Sequence, residues 1–104
     1  MGKRLLRLLF NHSPYQTYKV KGNSMSPCLK EGDILIVKKT KKVKIRDIIA
    51  LTNPQDQRTI VKRIIKIEDH KFFVQGDNES ASTDSRDFGL IERDNIIGKI
   101  VAIV

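Results

Sequence analysis

Short stretches rich in β-branched residues recur along the chain and are separated by polar turns. In some of them apolar and polar positions alternate, as on a strand with one buried face, and others are almost continuously apolar. The candidate strands are TYKVKG (17–22), DILIVKK (33–39), DIIALT (47–52), RTIVKRIIKI (58–67), FFVQ (72–75) and NIIGKIVAIV (95–104). Helix signals are nearly absent, so the sequence predicts an all-β fold, and its 104 residues suit one domain.

Polar segments divide these strands. NPQDQ (53–57) and EDHK (68–71) are turn sequences, and the basic run KKTKKVK (38–44) lies in a predicted loop or hairpin. Residues 76–91, GDNESASTDSRDFGLI, are polar and contain two glycines, which predicts a long ordered loop. Such a loop is unusual in so small a domain and often carries function.

The charge balance is strongly basic, because 20 basic and 12 acidic residues give a net charge of +8. This favours nucleic acid, an anionic membrane surface or an acidic partner without choosing among them. The six aromatic residues are scattered and form no stacking platform for bases, so we expect no nucleic-acid partner. A non-catalytic basic β-domain that binds nucleic acid through residues 38–44 is the alternative from another functional class.

Cys28 is the only cysteine, so the chain forms no internal disulfide, which fits a reducing compartment. Cys28, His12 and His70 lie far apart in sequence and have no metal-ligand spacing. We therefore expect neither a metal nor another cofactor.

The N-terminal segment, residues 1–13, is basic and apolar, and residues 14–104 are the predicted globular domain. Its apolar part, Leu5 to Phe10, is far shorter than the roughly 20 residues that cross a bilayer. It also lacks the cleavage site of a signal peptide. Residues 3–10 could form a short amphipathic helix in peripheral contact with an anionic membrane, and a helix packed on the domain or a frayed tail are the alternatives. With no spanning segment, we expect a cytoplasmic protein.

Ser24 stands in the segment KGNSMSP (21–27), framed by Gly22 and Pro27, which predicts a tight bend. A serine in a bend often serves only to hydrogen-bond its own backbone. A nucleophile also needs a bend, because the bend holds the hydroxyl where a substrate can reach it.

Lys62 lies within the longest candidate strand, where Ile60, Lys62 and Ile64 share one face and Val61, Arg63 and Ile65 share the other. Burial disfavours the ammonium and would lower its pKa, so that the neutral amine could take a proton from a hydroxyl. The alternative is a lysine at the sheet margin whose stem packs and whose head reaches water.

The polar loop offers a third group of candidates. GDNESASTDSR (76–86) contains Gly76, Asp77, Asp84 and Arg86, and a carboxylate–guanidinium pair can hold such a loop rigid. Its serines could hydrogen-bond a lysine amine. The alternative is a surface loop with ordinary turn chemistry.

These three segments together resemble the Ser-Lys peptidases of the signal peptidase I type (peptidase family S26). The family's serine–methionine–x–proline box matches Ser24-Met25-Ser26-Pro27, and its lysine followed by arginine matches Lys62-Arg63. Its last box matches Gly76-Asp77-Asn78, Ser82 and Asp84-Ser85-Arg86, followed by the family-like FGLI and NIIGKI. The resemblance spans Val20 to Ile100 and implies a compact coiled β-sheet of the signal-peptidase or LexA type.

The resemblance also implies roles for particular residues. Ser24 would attack the scissile carbonyl, Lys62 would be the general base and then the acid, and Ser82 would orient the Lys62 amine. The Ser24 backbone N–H would be one oxyanion donor. The residues implied to shape the cleft or brace its loops are Met25, Pro27, Arg63, Gly76, Asp77, Asn78, Asp84 and Arg86. The precursor substrate would bind extended, beside the sheet.

Two positions depart from the common pattern. Gly22 stands where some members carry a serine that serves as a second oxyanion donor, which leaves that donor unassigned, and Cys28 stands where threonine is common. We expect no membrane anchor, and the chain has no large insert between Lys62 and the last box. In this compact form it resembles the nickel-type superoxide dismutase maturation proteases, a branch implied to trim an N-terminal extension from the dismutase precursor. A signal peptidase held at the membrane by residues 3–10 is the alternative within the family.

Overall fold

A computed structural model of the chain describes residues 13–104, which form a nearly all-β domain. Its strands are β1 (Tyr15–Lys19), β2 (Ile34–Lys38), β3 (Ile48–Thr52), β4 (Thr59–Glu68), β5 (Lys71–Gln75) and β6 (Ile96–Ile103). A four-residue helix, α1 (Ser85–Phe88), and two 3-10 turns (Glu79–Ala81 and Arg93–Asn95) lie between β5 and β6. The all-β prediction is confirmed.

The six strands form one antiparallel sheet in the order β1-β2-β6-β3-β4-β5. The last strand, β6, inserts between β2 and β3, so it joins the first hairpin to the β3–β4–β5 meander. The pairing of β3 with β4 sets Ile49 opposite Lys62, and the pairing of β4 with β5 sets Arg63 opposite Gln75. Lys62 therefore lies within the β3–β4 ladder, one residue before the pairing of β4 with β5 begins.

Both faces of the sheet are covered by apolar side chains. Ala50 of β3 faces one cluster, whose other members are Val20, Met25, Leu29, Leu35, Val37 and Val61. Its neighbours Ile49 and Leu51 face a second cluster, whose other members are Ile64, Phe72, Val74, Ile91 and Ile96. This division follows from strand geometry, because successive side chains point to opposite faces. The segment after β1 covers the first face, and the segment after β5 covers the second.

The first strand is displaced from its predicted position. TYKVKG predicted a strand over 17–22, whereas β1 ends at Lys19. Val20 still exchanges backbone hydrogen bonds with Asp33 and Gly32, but Gly22 adopts a positive φ of 75°, which turns the chain out of the sheet. The nucleophile candidate Ser24 therefore follows a turn rather than the end of a strand.

Residues 76–91 were predicted to be a long loop, but the segment also contains the short helix α1. Asp84 begins this helix by accepting a hydrogen bond from the Arg86 N–H, and its own N–H donates to the Asp87 carboxylate. The buried Ser85 hydroxyl accepts from the Val74 N–H at 2.8 Å, which fastens α1 to β5. Two backbone hydrogen bonds between Phe72 and Ile91 close the segment onto the same strand.

The predicted amphipathic N-terminal segment and its membrane contact fall almost wholly outside the described residues. Within residues 13–104, no helix has the length and apolar character needed to cross a membrane.

Candidate active site

Ser24 lies in the turn that follows β1, and buried neighbours fix its position. Met25 and Leu29 are almost fully buried in the first core cluster, and the Leu29 N–H donates to the Met25 carbonyl. The Ser26–Pro27 peptide bond is cis, and the Ser26 N–H donates to the Asn23 carbonyl. Ser24 itself is half-buried. The bend therefore holds Ser24 near the protein surface, and the buried side chains of Met25 and Leu29 anchor the bend to the core.

Asn78 holds the two carbonyls on either side of the Ser24 α-carbon. Its backbone N–H donates to the Ser24 carbonyl at 2.8 Å, and its side-chain amide donates to the Asn23 carbonyl at 3.1 Å. Because a trans peptide unit is planar, the N–H of Ser24 points away from the Asn23 carbonyl of the same unit. Within residues 13–104, this N–H has no protein acceptor. It is therefore a free donor whose direction Asn78 fixes.

Lys62 is buried, with 4 % of its surface exposed, and it lies on the same face of β4 as Ile60 and Ile64. Burial lowers the pKa of its amine, and the negative charges of Asp84 and Asp87 oppose this only in part. Its Nζ donates a hydrogen bond to Ser82 Oγ at 3.1 Å. Lys62 is thus buried, whereas strand alternation alone left open a lysine at the sheet margin whose head reaches water.

The direction of the Ser82 hydrogen bonds follows from its neighbours. The Ser82 hydroxyl donates to Asp84 Oδ2 at 2.7 Å, because an ionised carboxylate can only accept. Its oxygen accepts from Lys62 Nζ and, at 3.2 Å, from the Gly76 N–H. Because the hydroxyl proton is donated to Asp84, Ser82 can only accept a hydrogen bond from an N–H of Lys62. The lone pair of a neutral Lys62 amine is therefore left for another partner.

Asp84 is the most buried charged residue of the site, with 0 % of its surface exposed. Burial alone would raise the pKa of its carboxyl, but hydrogen bonds from Arg86, the Gly76 N–H and Ser82 outweigh burial and hold the pKa far below its usual range. Arg86 forms the predicted pair with it, through Nε to Oδ1 at 2.9 Å and Nη2 to Oδ2 at 2.8 Å. The carboxylate is therefore ionised whenever the domain is folded near neutral pH.

A second carboxylate–guanidinium pair joins β4 to the residues that follow β5. Arg63 donates from Nε and Nη2 to both oxygens of Asp77, at 2.9 and 2.8 Å. Its Nη1 donates to the Arg46 carbonyl, and its Nη2 lies 3.6 Å from Cys28 Sγ. Asp77 directly precedes Asn78, so this pair positions the residue that holds the Ser24 turn. The sequence identified both partners as bracing residues but could not pair them with each other.

Ser24 and Lys62 line a common cavity of about 330 Å³. It lies between the end of β1 and the start of β4, and the Tyr18 hydroxyl links these strands by donating to the Thr59 carbonyl at 3.3 Å. In the described part of the chain, no hydrogen bond joins the Ser24 hydroxyl to the Lys62 amine. Such contacts are often longer without substrate and shorten when it binds.

The cavity also includes residues that the sequence did not single out. Asn53, Gln55, Asp56 and Arg58 come from the β3–β4 turn, and Lys21 precedes the Ser24 bend. NPQDQ predicted a turn correctly, but a turn signal carries no information about which cavity the turn borders.

The basic run 38–44 has a structural role in part. Lys41 Nζ donates to the carbonyls of Arg93, Asp94 and Ile96, which places its charge at the end of a 3-10 turn. Arg93 in return donates to the Lys41 carbonyl. Lys41 therefore stabilises the connection that precedes β6.

Gly76 is required where β5 meets the Ser24 turn. A Cβ on this residue would overlap the Ser82 hydroxyl and the Ser24 carbonyl oxygen. We expect Gly76→Ala to lower kcat strongly and to destabilise the fold by about 1–3 kcal/mol, the usual cost of overpacking. Activity assays and thermal unfolding measure the two effects.

Gly32→Ala is the matched control for Gly76→Ala. Gly32 has a φ of 93°, but an added Cβ would meet open space, so its substitution strains the backbone without an overlap. We expect this variant to lose stability and to keep kcat. Equal kcat losses in the two variants would contradict a local role for Gly76.

Comparison with known proteins identifies the family. The model of the family described as Peptidase S24-like matches residues 3–101. The chain belongs to this family. It is 28% identical to signal peptidase I T of Bacillus subtilis (strain 168) over 146 aligned positions, covering 90% of this chain and 76% of that protein. It is 26% identical to signal peptidase I V of the same strain over 151 positions, covering 92% and 89%.

A third relative matches a shorter segment of the chain at higher identity. Over 34 residues the chain is 53% identical to signal peptidase I of Buchnera aphidicola subsp. Baizongia pistaciae (strain Bp), which covers 33% of this chain and 11% of that protein. Membership of the Peptidase S24-like family and these relatives together make the chain a peptidase of the serine type. Its substrate is a protein.

Proposed function

We propose that this member of the Peptidase S24-like family is an endopeptidase with Ser24 as nucleophile and Lys62 as general base. The observation that carries the proposal is the buried Lys62 amine, which has a lowered pKa, is held by Ser82 and lines the same cavity as Ser24. A lysine that is neutral near pH 7 can accept the serine proton, whereas a charged lysine cannot.

The reaction follows from the arrangement of donors and acceptors. Ser24 Oγ attacks the scissile carbonyl carbon while its proton passes to Lys62 Nζ. The carbonyl oxygen becomes an oxyanion, which the free Ser24 N–H stabilises. The ammonium of Lys62 then returns the proton to the leaving amine, and an acyl-enzyme remains on Ser24. A water molecule then gives a proton to Lys62 and attacks the acyl carbon. The bond from that carbon to Ser24 Oγ breaks, Lys62 returns the proton to Oγ, and the second product leaves as a carboxylic acid.

Asn78 and Ser82 position different parts of the proposed catalytic pair. Asn78 fixes the turn that carries the nucleophile and the oxyanion donor, through the carbonyls of Asn23 and Ser24. Ser82 fixes the base. Both belong to the segment between β5 and α1, so one rigid segment sets the distance between nucleophile and base.

We infer that the substrate is a precursor protein whose N-terminal extension is removed in the cytoplasm, and that the nickel superoxide dismutase precursor is the best candidate. The resemblance of this compact chain to the maturation proteases of that enzyme supports this choice. A second candidate is the secretory signal peptide, supported by the similarity to the signal peptidases I T and V of Bacillus subtilis.

The test is cleavage of both substrates by the wild type and Ser24→Ala, followed by mass spectrometry. We expect the wild type to cut the dismutase precursor once, near its N-terminus, and Ser24→Ala to leave it intact, because removing the nucleophile typically costs about 10⁶-fold in kcat. Cleavage of signal-peptide substrates with lipid, but not of the dismutase precursor, would select the second candidate. Equal cleavage by Ser24→Ala would refute the nucleophile.

A further inference from the structure

Two cationic side chains line the cavity beside the proposed nucleophile and have no carboxylate partner there. Lys21 lies three residues before Ser24, and Arg58 lies four residues before Lys62. Within residues 13–104, neither side chain forms an ion pair or a hydrogen bond. Arg63 and Arg86, the other arginines near the site, are each paired with a carboxylate. Lys21 and Arg58 are therefore available to a ligand.

The charge of the cavity is positive. Among residues 13–104, Asp56 is the one acidic residue that lines the cavity, and one of its oxygens already accepts the Arg58 backbone N–H at 3.0 Å. Lys62 contributes no fixed charge when it acts as a base. Two permanent positive charges thus face one negative charge, in a concave site where a guanidinium can bind a carboxylate through two parallel hydrogen bonds.

We propose, on the basis of the peptidase function above, that Lys21 and Arg58 form a subsite for an acidic side chain of the substrate. An extended chain advances about 3.3 Å per residue, so residues three or four positions from the catalytic pair lie at most ~13 Å from it along the backbone. The acidic residue therefore lies within about four positions of the scissile bond. The subsite selects precursors with Asp or Glu near the cleavage site.

The experiment uses a library of peptides blocked at both ends, in which every position varies, with cleavage products sequenced by mass spectrometry. We expect Asp and Glu to be enriched over Asn and Gln at one position within four residues of the cut. The expected enrichment is roughly three- to tenfold, as for two partly exposed charge contacts, and it falls as salt is raised. Blocked ends ensure that a side-chain carboxylate, and not a free C-terminus, is recognised.

Charge-changing variants link the preference to these two residues. We expect Lys21→Gln and Arg58→Gln to lose the enrichment in part, and Arg58→Glu to favour Lys or Arg at the same position. Lys39→Gln is the matched control, because Lys39 is exposed and does not line the cavity. It should keep the wild-type preference. Far-ultraviolet circular dichroism checks that each variant is folded.

The outcomes separate this inference from the proposed function. Cleavage by the wild type without acidic enrichment would overturn the subsite and leave the peptidase standing. Enrichment that stays at the wild-type level in both Gln variants would overturn the assignment to Lys21 and Arg58. Enrichment that appears only when the peptides have free C-termini would show that a terminal carboxylate is bound instead. If the wild type cut no peptide and no precursor, both the function and the subsite would fall.

Discussion

Lys62→Met is expected to lower kcat by about 10⁴-fold or more while the domain stays folded, because removal of a nucleophile's base typically costs that much. Methionine matches the length of the buried stem and carries no charge, so it suits the surroundings of Lys62 on β4. Lys62→Arg should be equally inactive, because a guanidinium does not lose its proton in proteins. Cleavage of the precursor by both variants, measured at several enzyme concentrations, tests this.

The pH dependence of kcat/KM in the wild type also tests Lys62 as the general base. Only the neutral amine is a base, so kcat/KM should rise with pH through the pKa of Lys62 in the free enzyme. Because burial lowers that pKa, the rise should occur below the ordinary range of lysine, near 10.4. A rise that occurred only at or above that range would contradict the proposed environment of Lys62.

The stability of the wild type, like its activity, should rise with pH because of Lys62. A lysine whose pKa is lower in the folded state binds more protons when unfolded, so between the two pKa values stability rises with pH. Lys62→Met removes this dependence and should make the domain more stable than the wild type at neutral pH. Urea unfolding at several pH values measures it.

Lys66→Met is the matched control on the same strand. Lys66 is exposed, and in the part of the chain that the structure describes it pairs only with Glu68, at 2.7 Å. We expect this variant to keep wild-type activity and pH dependence. A loss of activity comparable to that of Lys62→Met would show that the assay reports the integrity of β4 and not the base.

Local pattern was sufficient to predict the strands and the face of Lys62. Alternation placed Lys62 with Ile60 and Ile64, and the structure packs both isoleucines against the second core cluster. Alternation could not decide whether the amine reached water, because that depends on Ser82, which is 20 residues away in sequence. The burial of the amine is a consequence of how the segment after β5 folds back over β4.

The segment after β5 was the hardest to predict. Its polar composition indicated a loop, but a carboxylate at Asp84 and a buried hydroxyl at Ser85 begin a one-turn helix there. The pairing of Arg63 with Asp77 was also beyond local reasoning, since the two residues lie on different elements. The roles of these residues in catalysis rest on the resemblance to the signal peptidase I type and stay predictions.

Asp84→Asn should lower both the activity and the stability of the enzyme. The amide places an NH₂ group where Oδ2 accepted from Ser82 and the Gly76 N–H, so two buried donors lose an ionised acceptor. Hydrogen bonds to charged groups are worth about 1.5–3 kcal/mol each, which predicts a loss of roughly 3 kcal/mol or more. The Ser82 hydroxyl proton then turns to the Lys62 lone pair, and we expect kcat to fall about 10²–10⁴-fold.

The stability difference between wild type and Asp84→Asn should depend on pH in a defined sense. The pKa of Asp84 is depressed in the folded state, so its stabilisation is fully present above the unfolded pKa of about 3.9. It is lost as the pH falls through the folded pKa. Urea unfolding should therefore give a constant difference from pH 7 to 5 and a smaller one at pH 3. A constant difference down to pH 3 would mean that folding does not lower the pKa of Asp84.

A double-mutant cycle separates the effect on the base from the effect on stability. If Asp84 acts by directing the Ser82 hydroxyl, Asp84→Asn should cost little further activity once Ser82→Ala has removed that hydroxyl. The stability losses should persist in the double variant, because the Gly76 N–H and Arg86 still lose their acceptor. Additive losses of kcat would show that Asp84 supports catalysis only by holding the segment in place. Non-additive losses would identify Asp84 as the residue that leaves the Lys62 lone pair free for Ser24.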